Sequence, residues 1–178
     1  IMKNDNLLTE GNVFRVLLKF SVPFLIANII QALYGAVDLM VIGWYCAPES
    51  VAAVSTGTQV TQIITSMVSG LTLGSTIMVG KYTGMKDEDR TRKTIGTTLS
   101  VFAVIAILLT IVMLTFKGPI LTALKTPAAS MKEANDYVTI CFYGIFFICG
   151  YNAISAVLRG YGDSRRPMYF VALSCVLN

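Results

Sequence analysis

The sequence has 178 residues, of which 54% are hydrophobic and 13% are charged, and its formal net charge is +4. A typical soluble domain carries about 25% charged residues, so this composition argues against a soluble globular protein. The chain contains no histidine, which removes the commonest transition-metal ligand and the usual general base.

Long stretches without charge dominate the chain. Residues 50–80, 94–116 and 137–158 contain no charged residue, and residues 20–48 contain only Asp38. A bilayer core needs about 20 apolar residues in a helix, whereas barrel strands of about 10 residues alternate in polarity. The sequence therefore predicts an all-α integral membrane protein, a multi-span helical bundle with four full transmembrane helices and the start of a fifth.

The predicted spans follow one another with short polar connections. They cover approximately residues 16–44, 51–82, 91–116, 134–159 and 167–178. The last span is about half of the usual length. Pro23, early in the first span, either kinks that helix or belongs to its start. Because the sequence begins with Ile1 and not with methionine, we expect a segment of a longer chain.

Lysine and arginine are distributed unevenly between the two sides of the predicted bundle. The N-terminal segment and the connections after the second and fourth spans hold 11 of the 14 basic residues, and the other side holds 3. Positive residues accumulate in cytoplasmic loops. We therefore expect a multi-pass protein of the cell (inner) membrane, with a cytoplasmic N-terminus, lipids as partners and no nucleic-acid partner.

Asp38 is the one acidic residue of the first predicted span. A carboxylate within the bilayer costs about 3 kcal/mol or more, so it indicates function by default. Counting from Lys19 at 1.5 Å per residue places Asp38 about 28 Å along the helix, in the outer half of the span. We interpret it as a site for a proton or for Na+, and an interfacial acid at the end of a shorter helix is the alternative.

A polar stripe leads to Asp38. Asn28, Gln31 and Asp38 lie on one helical face, and Tyr34 precedes Asp38 by four residues. Such a stripe favours a polar cavity, with hydrogen bonding between helices as the alternative.

The second and fourth spans carry further candidates for the lining of that cavity, namely Gln59, Gln62 and Asn152. Gly70 and Gly74 form a GxxxG pair, which more often indicates close helix packing than a ligand site. The sequence contains no HExxH motif, nucleophile elbow, P-loop or pair of intramembrane carboxylates. We therefore predict that the protein is not an enzyme and has neither a resident metal nor another cofactor.

Two segments carry a resemblance to a known family. LLTEGNVFRVLLKFSVPFLIANIIQALYGAVDLMVIG resembles the opening of the MATE (multidrug and toxic compound extrusion) transporters, with a proline and a closing "VD" and "IG". LRGYGDSRRPMYFVALSCVLN resembles the connection between the fourth and fifth spans of that family, in which a "G-D-x-x-x-P" run leads to an asparagine.

The resemblance implies a transporter of 12 helices in two six-helix lobes, of which residues 1–178 would form most of the N-terminal lobe. It implies export of amphipathic cationic drugs by antiport with protons or sodium, and the remaining C-terminal part of the transporter as a partner. Asp38 matches the first-span acid implicated in coupling, and Asn178 matches a fifth-span asparagine at the same site. The family's second acid is expected four residues after Asn178, beyond this sequence.

Several alternatives remain at this point. A related flippase of lipid-linked oligosaccharides usually has a more basic cavity than these spans contain. A major facilitator transporter is suggested by GMKDEDRTRK, but Thr91 stands where that motif needs its second glycine. A channel or a structural membrane protein would bind no drug in a manner that depends on Asp38.

Overall fold

The computed structural model describes residues 13–177, and within that range it contains helices and no strands. The helices are α1 (Val13–Tyr45), α2 (Pro48–Gly84), α3 (Glu88–Ala123), α4 (Met131–Tyr143), α5 (Ile145–Gly160) and α6 (Arg165–Leu177), with a single 3₁₀ turn before α4 (Ala128–Ser130). Helices α1, α2 and α3 are each long and apolar enough to cross a membrane. The prediction of an all-α, multi-span membrane protein is confirmed.

The fourth predicted span is a bent pair of helices. The segment Ala128–Tyr143 and helix α5 meet at an angle of 42° and pass the membrane criterion only when they are taken together. At Gly144 the backbone lies so close to an earlier carbonyl that an added Cβ would be 3.0 Å from the oxygen of Cys141. The backbone of Gly144 has ordinary right-handed helical angles (φ −71°, ψ −14°), but the continuous helix predicted over 134–159 is interrupted there.

Two prolines lie inside helices. Helix α1 begins at Val13, so Pro23 is an interior residue and not a residue of the first turn. Helix α3 continues through Pro119 to Ala123, past the predicted end of the third span at 116. Proline lacks an N–H donor and normally weakens a helix locally. Both helices nevertheless extend before and after their proline.

Three helices end with the same backbone motif. A residue with positive φ follows each of α2, α3 and α5: Lys86 at 56°, Lys125 at 53° and Gly162 at 82°. The next amide donates to a carbonyl five residues earlier, as in the 2.9 Å bond from Asp163 to Leu158. This is the Schellman arrangement, which satisfies carbonyls that the helix end leaves without partners.

The helices contribute to two compact units. The first unit comprises the described residues up to Gly35, Leu71–Leu99, and the residues from Ala153 onward; the second comprises Ala36–Gly70 and Ser100–Asn152. The core of the second unit is mainly aliphatic and aromatic, with Ile64, Leu121 and Phe142 among its fully buried side chains. The core of the first unit includes more hydroxyl groups, namely Thr72, Thr91, Thr98, Ser155 and Ser164. Helix α1 contributes no buried residue.

Candidate functional site

Asp38 belongs to the second unit, where it lies near a tyrosine of another helix. Its side chain is half-buried on α1. The Asp38 carboxylate lies within electrostatic range of the Tyr137 hydroxyl of α4. That hydroxyl is 3.5 Å from the Thr58 Oγ1 of α2, and either oxygen can donate the proton. Three helices therefore supply the polar groups of this cluster.

The chemistry of the cluster suits a small hard cation or a proton. Its members offer one carboxylate and two hydroxyl oxygens, which are the ligand types that hard cations prefer. Neutralising a carboxylate in apolar surroundings removes the cost of its charge. Within residues 13–177, there is no group of three or more His, Cys, Asp or Glu side chains that could hold a metal ion.

Tyr137 and Thr58 are not among the site residues that the sequence predicts. Tyr137 is the first residue of the charge-free run 137–158, and tyrosine at such a place is common at a membrane interface. The two residues are 79 positions apart, so only the packing of α2 against α4 reveals their pairing.

The other polar residues of α1 lie in the first unit. The amide of Asn28 donates to the carbonyl of Phe24 at 2.9 Å, so this side chain folds back onto its own helix. Asn28 and Gln31 are exposed, and Tyr34 is half-buried. Their predicted place in a cavity stays a prediction.

The candidates of the later spans differ in their surroundings. Gln59 and Gln62 are exposed on α2. Asn152 is buried, its amide donates to the carbonyl of Ile148 at 2.8 Å, and its Oδ1 accepts a hydrogen bond from Ser69 at 3.2 Å. The bond between Ser69 and Asn152 joins α2 to α5, whereas the bond to Ile148 lies within α5. Asn178 lies outside the described residues.

The GxxxG pair of α2 makes no close contact within the described part of the chain. An added Cβ at Gly70 or Gly74 would meet no atom within 4 Å. The close approaches of helices occur instead at Gly57 and Gly160, where an added Cβ would collide with a neighbouring helix. The close helix packing that the GxxxG motif indicated is therefore not found at Gly70 and Gly74.

Comparison with known proteins gives one consistent family. The MatE family model matches residues 23–178. The probable multidrug resistance protein YoeA of Bacillus subtilis is 32% identical, with 96% of this chain and 37% of the relative covered. YpnP of the same organism, also named a probable multidrug resistance protein, is 31% identical, with 96% and 38% covered. The chain thus spans less than two fifths of the length of these curated relatives.

Solved structures agree with this result. A crystal structure of MATE in the bent conformation is 26% identical, with a TM-score of 0.88 and coverage of 99% of this chain and 39% of that chain. The names of the relatives describe multidrug resistance and not a catalysed reaction, in agreement with the prediction that this is not an enzyme. The chain belongs to the MatE family of membrane transporters.

Proposed function

We propose that the protein containing this chain is a secondary active transporter that exports amphipathic cationic drugs by antiport with protons or sodium. Its relatives are named as multidrug resistance proteins. The observation that carries the proposal is the position of Asp38, a half-buried carboxylate on an apolar helix and within electrostatic range of the Tyr137 hydroxyl. The flippase and major facilitator alternatives are not favoured, because the family match is to MatE.

The mechanism that we propose is alternating access driven by neutralisation of Asp38. Binding of H+ or Na+ removes the cost of a charge in an apolar environment. A ligand shifts a conformational equilibrium by the difference between its affinities for the two states. The ion therefore stabilises the state in which Asp38 is most desolvated, and the drug leaves from that state.

We also propose that the N-terminus is cytoplasmic, that the protein lies in the cell membrane, and that this chain pairs with the remaining C-terminal part of the transporter. The distribution of charge supports this topology. The N-terminal segment and the connections after the second and fourth spans hold 11 of the 14 basic residues. A basic excess is typical of the cytoplasmic side.

The test is the substitution Asp38→Asn in the full-length transporter. The amide keeps the size of the side chain but removes the group that takes up the ion, so we expect ion-driven drug efflux from proteoliposomes to fall to the background of empty vesicles. Asp136→Asn is the matched control, because Asp136 is an exposed acid of α4, and its efflux should equal that of the wild type. Wild-type efflux in Asp38→Asn would contradict the proposed function of Asp38.

A further inference from the structure

Gly57 provides a slot for the ring of Tyr137. Gly57 is buried on α2, and an added Cβ would lie 2.6 Å from the Cε1 atom of that ring and 3.2 Å from the Cγ1 atom of Val138. Ordinary contacts between carbon atoms are about 3.5–4.0 Å. Any larger residue at position 57 must therefore displace the ring.

The next residue of α2 contacts the other end of the same side chain. Thr58 Oγ1 lies 3.5 Å from the Tyr137 hydroxyl. Two consecutive residues of α2 thus define the position of Tyr137, one by leaving space for its ring and one by pairing with its oxygen. The ring of a tyrosine is oriented by two side-chain torsion angles, χ1 and χ2. Contacts at both ends of the ring therefore restrict its orientation.

The orientation of Tyr137 matters because its hydroxyl lies within electrostatic range of Asp38. Neither Gly57 nor Thr58 carries a charge, and both lie on a different helix from Asp38. Tyr137 contacts both of them, and it is the link between them and Asp38 that the described contacts offer.

We propose that Gly57 and Thr58 are positioning residues, which fix the orientation of the Tyr137 hydroxyl within electrostatic range of Asp38 and thereby set the affinity of the site for its coupling ion. This inference rests on the proposed function of Asp38. It gives the α2 part of this cluster a defined task, and it assigns to Gly57 a role in ion affinity that differs from a role in helix packing alone.

The experiment measures drug transport by the full-length protein in proteoliposomes as a function of proton and of sodium concentration. In Gly57→Ala and Thr58→Val, we expect the half-saturating concentration of the coupling ion to rise about threefold or more, the effect of one hydrogen bond in a membrane. Thr58→Ser keeps the hydroxyl and should restore the wild-type value. Gly70→Ala is the matched control on the same helix, because its added Cβ meets open space.

The outcomes separate this inference from the function on which it rests. If Asp38→Asn transports like the wild type, the proposed function fails. If Asp38→Asn is inactive while Gly57→Ala and Thr58→Val keep the wild-type ion dependence, the positioning role is wrong, whether or not the variants lose thermal stability. Should Gly57→Ala fail to insert, the nearly isosteric pair Thr58→Val and Thr58→Ser decides the result.

Discussion

The two compact units each contain a glycine at a helix contact, but the neighbouring atoms differ. In the first unit, an added Cβ at Gly160 would lie 2.7 Å from the Val79 Cβ and 3.0 Å from the Thr76 carbonyl oxygen. These atoms belong to the backbone of α2 or are attached directly to it. In the second unit, Gly57 faces the ring of Tyr137, which can rotate away. Substitution at Gly160 must therefore separate two helices, whereas substitution at Gly57 redirects a side chain.

The hydrogen bonds between helices show the same difference. In the first unit, Thr76 Oγ1 donates to the carbonyl of Ala156 at 3.2 Å, and Ser164 Oγ donates to the carbonyl of Phe20 at 2.8 Å. In the second unit, side chains pair with side chains, as in Thr58 with Tyr137. Carbonyl acceptors are fixed by the helix, but paired side chains can exchange partners when an ion arrives. On the proposed function, we expect the second unit, and not the first, to change its contacts when the coupling ion binds.

The largest effect on stability is expected for Gly160→Ala. Because the added methyl group meets backbone atoms of α2, the free energy of unfolding should fall by about 1–3 kcal/mol, as for other overpacked contacts. Thermal unfolding of the full-length protein in detergent measures this change. Gly74→Ala, on α2 with open space around its added Cβ, should be neutral or slightly stabilising. Equal unfolding temperatures for Gly160→Ala and Gly57→Ala would remove the distinction between the units.

A smaller effect is expected for Ser164→Ala. Ser164 precedes α6, is 5% exposed, and donates to the carbonyl of Phe20, three residues before Pro23. Loss of this bond should lower the free energy of unfolding by about 1 kcal/mol. The same thermal unfolding assay measures this change. Ser174→Ala on the exposed face of α6 is the control and should have no effect. If ion dependence of transport changed in Ser164→Ala while stability did not, the first unit would also respond to the ion.

Much of the fold could be predicted because the signals are local. A span is recognised from the length of a charge-free run, and the approximate bounds agree with α1 and α2 to within three residues. Asp38 is a candidate for the same reason, since a carboxylate in an apolar run is conspicuous, and its role stays a prediction. The bend at Gly144 could not be predicted, because composition and charge do not distinguish this glycine from those inside continuous helices, such as Gly70 and Gly74.

The rest of the candidate site could not be predicted because its residues are ordinary ones in membrane helices. Glycine and threonine are frequent on their packing surfaces, so neither Gly57 nor Thr58 differs in sequence from Gly70 or Thr65. Only the approach of α4 to α2 distinguishes them. The assignment of Asn178 is a different case: it rests on the resemblance alone and lies outside the described residues.

The smallest effect is expected for the pair Ser69 and Asn152, which tests whether side-chain pairs of the second unit are weak. Ser69 Oγ donates to Asn152 Oδ1 at 3.2 Å, and the Asn152 amide keeps a separate bond to the Ile148 carbonyl. A double-mutant cycle with Ser69→Ala and Asn152→Ala should give a coupling energy of about 0.6 kcal/mol, the average for such bonds in membranes. A value near 2 kcal/mol would mean that this pair is as fixed as the contacts of the first unit. In that case, the capacity to respond to the ion would belong to Tyr137 and its neighbours and not to the second unit as a whole.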